Sequence, residues 1–503
     1  MDMKQGILED NSQSAVSNIL WKILCAFLTL ICSWTIWQCL VLFGEGNAKE
    51  NLFCIVSFML LLVSAFFLYK YGNKKLLWVF ILCSILLNIS LIFAIQTPIK
   101  SDFSVMYKAA KQVLEGKYSW TQKRYFKTWP YQIPFVFFEA AVLKIFKSVL
   151  ALKIINVLCI AGTIRLIYAI TERFTSARAA CVAAFLYAVY PAPAMMVTVL
   201  TNQHLAALLF LAGMYVFLRF ENWRWMALAG VLLALGNLAR SEGTVILIAL
   251  AGVAFIVLIQ YIAKRKKESL LTLRNIAVVI LSYLVLMQTV SGIMKLTNIS
   301  EIGAKNPYPQ WKFVIGLNPE SVGRYTETDL WIFDIEDDAE RWKRTKHAIS
   351  EKFHVNSITK FITEKTKFMW ASDQEYVQGL KGMDREAEII GSWKLRDIVT
   401  YTALFEKGIY LLVLLLSLWY SLRLMRNPKS WQWYICPAII FVNYAAYLLI
   451  EIQKRYRYFV MPFLFIAAGF GMEELVKAIS PIKQRYLEKK NQNCKESIEE
   501  EKP

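Results

Sequence analysis

Five short polar patches interrupt an otherwise apolar chain: Lys100-Ser101-Asp102, Lys123 to Lys127, Asn202-Gln203-His204, Arg240-Ser241-Glu242, and Glu451 to Arg457. Each carries groups able to move a proton or hold an anion. Asp102 is the carboxylate suited to act as general base on a hydroxyl. Lys127, Arg240, Arg455 and Arg457 are cations able to hold an anion, and arginine can grip a carboxylate or phosphate with two parallel N–H bonds. Tyr107, His204, Glu242 and Glu451 are the supporting polar groups. Each also has a plainer reading. Ser101 or Asp102 caps the helix that the pattern after it predicts. Arg455 and Arg457 anchor the chain at a membrane interface, and Arg240 with Glu242 closes a turn as a local ion pair. His204 caps or packs, and Tyr107 and Trp129 belong to an aromatic belt.

Other chemistries find less to work with. The three histidines (204, 347 and 354) lack metal-ligand spacing, so histidine-based zinc chemistry is not expected. No cofactor is implied, and a divalent metal has no support. A Gly-rich phosphate loop is absent from the sequence. Eight of the nine cysteines lie inside apolar segments, and no long polar loop contains one, so no disulfide framework is implied. Cys25, Cys32 and Cys39 fall seven residues apart on one helix face, which reads as helix packing.

The elements that must position these patches are membrane helices. Of 503 residues, 57% are apolar and only 19% charged, against about 25% charged in soluble domains. Apolar runs longer than about 18 residues make this a polytopic helical membrane protein, since only helices and closed barrels satisfy the backbone in lipid. Twelve spans are expected: 19–43, 51–69, 76–97, 150–170, 179–200, 203–218, 225–240, 243–262, 272–294, 404–422, 431–450 and 456–477. The segment 131–147 is apolar but short and carries Glu139, Lys144 and Lys147. Read as a helix lying in the interface, it leaves Lys70/Lys74/Lys75, Arg173/Arg178, Arg219/Arg224, Lys264 to Lys267 with Arg274, and Arg423/Arg426/Lys429 on one side. The positive-inside rule makes that side cytoplasmic. This use of the +19 net charge leaves no reason to invoke nucleic acid.

Both termini are then cytoplasmic, and all five patches share the extracytoplasmic face. Five divisions follow: a two-helix addition at 1–75, a transmembrane module at 76–294 with an outer loop at 98–149, an extracytoplasmic region at 295–403, C-terminal helices at 404–478 and a cytoplasmic tail at 479–503. From Lys100 to Pro130 the first outer loop holds seven basic and two acidic residues, against the positive-inside trend. An anionic partner such as a phospho-lipid head group accounts for that excess, as does an amphipathic helix snorkelling toward lipid phosphates.

An aspartate just past an early span, followed by an aromatic-rich amphipathic stretch, resembles the polyprenyl-phosphate-sugar glycosyltransferases of the GT-C superfamily, which include the protein O-mannosyltransferases and bacterial aminoarabinose transferases. Lys127-Thr128-Trp129-Pro130 is similar to the Lys-Pro or Pro-Pro element before their juxtamembrane helix. Arg240-Ser241-Glu242-Gly243 resembles an outer turn between two of their middle helices. Glu451 to Arg457, with Met461-Pro462, resembles their C-terminal Arg-Tyr segment. The pattern covers roughly residues 76–300 and 404–478. It departs where these families commonly carry an acidic residue, since this chain has Asn202 and His204. The spans 19–43 and 51–69 precede the usual first helix.

The resemblance implies inverting transfer of a sugar from a polyprenyl-phosphate donor to an extracytoplasmic acceptor, with Asp102 as base and Lys127, Arg240, Arg455 and Arg457 as the cations for the departing phosphate. Three alternatives remain: a carrier of lipid-linked saccharides or another anionic solute, which would show midplane charges and repeated halves, a polymerase or ligase of lipid-linked saccharides, and a structural or scaffold membrane protein, which leaves the clustered outer charges unexplained. Sidedness is directly testable. In a cysteine-free background, a cysteine at Ser119 should react with an impermeant thiol reagent applied from outside, and one at Ser269 should not. Outside labelling at Ser269 would mean that 131–147 crosses the bilayer.

Overall fold

The computed structural model describes residues 15–353, 357–371, 380 and 382–500, with side chains described as far as 481; His354 lies outside the described residues. Helices dominate. The long ones are α1 (Ala15–Gly44), α2 (Ala48–Tyr71) and α3 (Lys74–Ala94), then α4 (Ser101–Leu114) and α5 (Arg124–Thr128) ahead of α6 (Ile133–Phe146). There follow α7 (Val149–Phe174), α8 (Ala177–Ala188), α9 (Pro191–Met196), α10 (Gln203–Arg219), α11 (Trp223–Ala239), α12 (Gly243–Lys264) and α13 (Lys267–Leu296). Three short helices, α14 (Pro309–Gly316), α15 (Asp338–Lys352) and α16 (Ile358–Thr366), precede α17 (Leu395–Arg426), α18 (Ile435–Leu449) and α19 (Met461–Glu500). One small antiparallel pair, β1 (Glu388–Ile390) with β2 (Trp393–Lys394), departs from the all-helical expectation.

Among the described residues, eight helices are long and apolar enough to cross a membrane, and α8, α10 and α11 are shorter apolar ones. This is a multi-pass membrane protein. The helices begin where side chains take over orphan backbone donors: Asn47, Asn73, Ser148, Ser176 and Asn222 each accept from an N–H in the following turn, as N-caps do. On α2 the side chains of Leu52, Leu60, Val63 and Phe67 stay exposed, a surface for acyl chains. Inside the bundle, α17 packs against α1, α2 and α19. A Cβ on Gly471 of α19 would stand 1.9 Å from the Leu416 carbonyl oxygen of α17. That close approach is how helices gain contact where lipid supplies no hydrophobic drive between them.

One expected span takes a different form. The run 179–200 is broken: α8 ends at Ala188, and Pro191 and Pro193 open the short α9. Proline supplies no N–H and disfavours helix in the residue before it. The chain beyond α9 stays irregular, and its carbonyls are met from outside: Thr97 donates to Thr198 O at 2.5 Å and Asn156 to Val199 O at 2.9 Å. Irregular backbone at membrane depth survives only with such partners. The segment 131–147 contains the 14-residue α6, about 21 Å long at 1.5 Å per residue, short of a hydrocarbon core of roughly 30 Å.

The face bearing 98–149 and 295–403, called the loop face below, carries a second small core. Trp311, Val314, Ile315 and Ile332 are buried there, with Trp129, Tyr308, Trp331 and Phe333 packed on them. Trp129 meets Trp311 at 6.1 Å and Phe333 at 6.3 Å between ring centroids. The indole thus joins the two loop regions, which the aromatic-belt reading did not anticipate.

Lys365 holds this layer to the bundle. Its buried ammonium donates to Gly316 O at 2.7 Å, Leu448 O at 3.0 Å and Ile450 O at 2.9 Å. Two of these carbonyls terminate α18, where a cation also complements the helix dipole. Beside it, a Cβ on Gly316 would lie 2.3 Å from the Ile450 carbonyl carbon, so only glycine allows the two backbones to meet. Lys365→Met should remove three bonds and strand three carbonyls, at about 1–3 kcal/mol for each one left unsatisfied. A clearly lower thermal midpoint of the purified protein is expected; an unchanged midpoint would show that Lys365 does not clamp the layer.

Candidate functional site

Asp102 opens α4 from a strained start. Ser101 has φ 55°, in the left-handed region that costs a residue with a Cβ about 1–2 kcal/mol. Lys100 is the N-cap residue and makes no side-chain cap bond, and neither Ser101 nor Asp102 serves as a cap. Asp102 lies in the first turn, where the helix dipole favours a carboxylate. Its side chain is 49% exposed, and Oδ2 stands 3.9 Å from Nη2 of Arg455. Residues from the two ends of the chain meet here.

Arg455 is steered by its own strand of contacts. Its Nε donates to Gln453 Oε1 at 2.8 Å, and Gln453 Nε2 donates to Glu451 Oε1 at 2.9 Å. Glu451 is buried against Lys312 of α14 in a close ion pair, and Tyr456 donates to it at 3.4 Å. Burial opposes ionisation of Glu451, but the Lys312 ammonium and the Gln453 amide outweigh it and hold the carboxyl below the usual carboxylate range. The segment's backbone is pinned as well: Glu451 N–H donates to Lys312 O at 3.0 Å and Ile452 N–H to Gly323 O at 2.8 Å.

The turn after α11 completes the group. Arg240 Nε donates to Glu242 Oε1 at 2.5 Å, and Nη1 donates to Asn202 Oδ1 at 3.3 Å. Asn202 is fixed by donating to Ala239 O at 2.7 Å. The Arg240 guanidinium lies 5.5 Å from the Tyr456 ring centroid. Gln203 Nε2 donates to Arg455 O at 3.1 Å, so the irregular chain beyond α9 helps aim Arg455. Two phenols of the first loop share these surroundings. Burial and the Asp102 charge raise the Tyr125 hydroxyl well above its ordinary range despite Arg455 and Arg240 nearby. Burial likewise pushes Tyr131 up to about 12, beside Lys312 and Tyr456. Both stay protonated and able to donate.

The structure therefore brings together Asp102, Arg240, Glu242, Glu451 and Arg455 from three distant stretches. Others named from the sequence stand apart. Arg457 is buried and turned elsewhere: Nη2 pairs with Glu406 Oε1 at 3.0 Å and Nη1 donates to Trp370 O at 2.6 Å. His204 Nδ1 meets the Tyr458 hydroxyl at 2.5 Å in a buried contact, as a packing histidine does. Tyr107 takes Lys111 over its ring at 4.9 Å. Lys127 is exposed and makes no ion pair among the described residues. Lys312, Tyr125, Tyr131 and Gln453 join the group without having been singled out. Tyr125 and Gln453 sit inside patches already flagged by charge, whereas Lys312 lies in a loop of balanced charge that gave no contrast. Among the described residues, no three His, Cys, Asp or Glu side chains gather in a way that could hold a metal ion.

Residues 133–287 match the family model described as dolichyl-phosphate-mannose-protein mannosyltransferase. That segment runs from α6 into α13 and includes Asn202, His204, Arg240 and Glu242; Asp102, Lys312 and Arg455 lie outside it. No curated protein matches the chain. Solved structures similar to it include the oligosaccharyltransferase of Archaeoglobus fulgidus in its apo form, at 14% identity and TM-score 0.41, covering 83% of this chain and 52% of that one. Another is the archaeal oligosaccharyltransferase AglB of the same organism, in complex with an inhibitory peptide and a dolichol-phosphate, at 13% identity and TM-score 0.40, with the same coverage. The chain spans about half the length of these structures. The match likens α6 to α13, less than half of the chain, to that mannosyltransferase family.

Proposed function

We propose that the protein transfers a sugar from a polyprenyl-phosphate donor to a hydroxyl of an extracytoplasmic acceptor, with inversion at the anomeric carbon. The observation that carries this reading is the Asp102–Arg455 pair, a half-exposed carboxylate 3.9 Å from a guanidinium at the end of an apolar bundle. In the step proposed, Asp102 takes the proton of the acceptor hydroxyl while its oxygen forms the new bond to C1. The bond from C1 to the phosphate oxygen breaks, and its electron pair leaves with the phosphate. Charge grows on that phosphate, so the cations must favour it more late in the step than early, which is the condition for catalysis.

The three cations of the group differ in how far they are committed. Arg240 is bound tightly to Glu242, and Lys312 to Glu451. Arg455 faces its carboxylate at 3.9 Å, beyond hydrogen-bond reach. It retains donors for a phosphate, with Tyr125 and Tyr131 as neutral donors; Lys127 stands exposed on the loop that carries Tyr125. The lipid tail keeps the donor in the bilayer, which accounts for a site at the boundary. The twelve-span topology with cytoplasmic termini belongs to the same reading. Glycan composition of cells lacking the protein would identify the sugar and acceptor.

Asp102→Asn keeps the size and the hydrogen bonding but cannot take a proton. Transfer by the purified variant, measured with a panel of polyprenyl-phosphate sugars, should fall roughly 10²–10⁴-fold, with donor binding largely kept. Near-normal transfer by the folded variant would remove Asp102 as base and favour a carrier.

Arg455→Ala should cost about 10²–10³ in turnover, the scale of a lost donor to developing negative charge. Arg423, which lies 3.7 Å from Glu474 at the other end of α17, serves as the comparison: Arg423→Ala should leave transfer within a few-fold. Equal effects at the two positions would mean that Arg455 contributes only general charge.

A further inference from the structure

The bundle holds a second cationic recess, away from Asp102. It is lined by Cys39, Leu40, Leu42 and Phe43 of α1, Cys54 of α2, Ala371, and Glu406, Lys407, Tyr410 and Leu411 of α17, together with Arg457. Two cations share it with the single carboxylate of Glu406. Arg457 pairs with that carboxylate at 3.0 Å, and its guanidinium lies 4.5 Å from the Tyr410 ring centroid. Lys407 makes no ion pair among the described residues. Within the recess, Arg457 Nε and the Tyr410 hydroxyl are buried and have no hydrogen-bond partner.

A buried donor left unmet costs about 1–3 kcal/mol, and native structures carry few such groups. Two of them beside an uncompensated ammonium ask for an acceptor with several oxygens and negative charge. The remaining wall is apolar, and it belongs to helices whose neighbouring faces carry exposed Leu40 and Leu52. An anionic head attached to acyl chains satisfies both parts at once.

We infer that this recess binds the phosphate of a glycerophospholipid, with its acyl chains along α1 and α2 and Lys407, Tyr410 and Arg457 as the head-group donors. Basic pockets between membrane helices take phospholipid head groups by this chemistry. The N-terminal pair α1–α2 then has a role: it walls a lipid site apart from the Asp102 group. The inference needs only the membrane setting and the geometry of the recess, so it stands or falls separately from the transferase reading.

The full-length protein, delipidated in detergent, is titrated with phosphatidylglycerol and read by native mass spectrometry. One molecule per chain should be retained, with little retention of a diacylglycerol of the same chains. Lys407→Gln and Tyr410→Phe should each weaken retention about tenfold, and Lys407→Arg should restore it. Neither Gln nor Phe at these positions opens a buried charge, and circular dichroism and thermal midpoint confirm that the variants fold. Parental retention by both Lys407→Gln and Tyr410→Phe overturns the assignment. So does equal displacement by glycerol phosphate, which would make it a site for free phosphate. Preferential retention of polyprenyl phosphate that is lost with Lys407 would overturn it differently, by making the recess the donor site.

Discussion

The loop face depends on one short piece of chain being held still. Residues 450–457 cross from the end of α18 toward Asp102, and they carry Arg455, the cation paired with it. Lys365 grips the Ile450 carbonyl, Gly323 accepts from Ile452 N–H, and Lys312 meets both the backbone and the side chain of Glu451. None of these partners lies in the membrane bundle. A bilayer satisfies no backbone groups, so a bent segment at its boundary must borrow partners from an external layer. The 295–403 region supplies them, and Trp129 ties the 98–149 loop to the same layer.

Charge at the site is balanced rather than simply positive. Three cations face three carboxylates, but the pairings differ in tightness and burial: Glu451 is 1% exposed and Glu242 9%, while Asp102 is 49% exposed. Buried pairs are costly to break because the survivor is left without compensation. They therefore serve as fixed scaffold, and the loose Asp102–Arg455 pair is the one a ligand can part. In the proposed reaction an arriving phosphate engages Arg455, and the carboxylate is left to the acceptor hydroxyl.

Much of the fold was legible from the chain because span length and apolar content are set by bilayer thickness. The patches at Asp102, Arg240 and Glu451–Arg455 were legible because polar groups are few enough to stand out. Three features were not. The proline pair at 191 and 193 signals a break, but the apolar run through 200 masked it, since hydropathy does not sense a missing N–H. Lys312 could not be separated from its equally charged neighbours without knowing that α14 packs under Glu451. Arg455 and Arg457 look alike in sequence, yet they sit two residues apart in a 3-10 turn, Lys454–Phe459. With three residues per turn, their side chains diverge by roughly 120°, and only one of them reaches Asp102.

The central claim is that Arg455 and Asp102 flank the reacting end of a lipid-phosphate sugar. An experimental structure of the full-length protein in a lipid nanodisc, with a non-transferable polyprenyl-phosphonate sugar bound, tests it most directly. The account predicts a phosphonate oxygen within about 2.7–2.9 Å of the Arg455 guanidinium, as for other charge-assisted bonds, with the anomeric carbon on the Asp102 side. A phosphonate seated against Arg457 and Lys407, with Asp102 facing empty solvent, would contradict it.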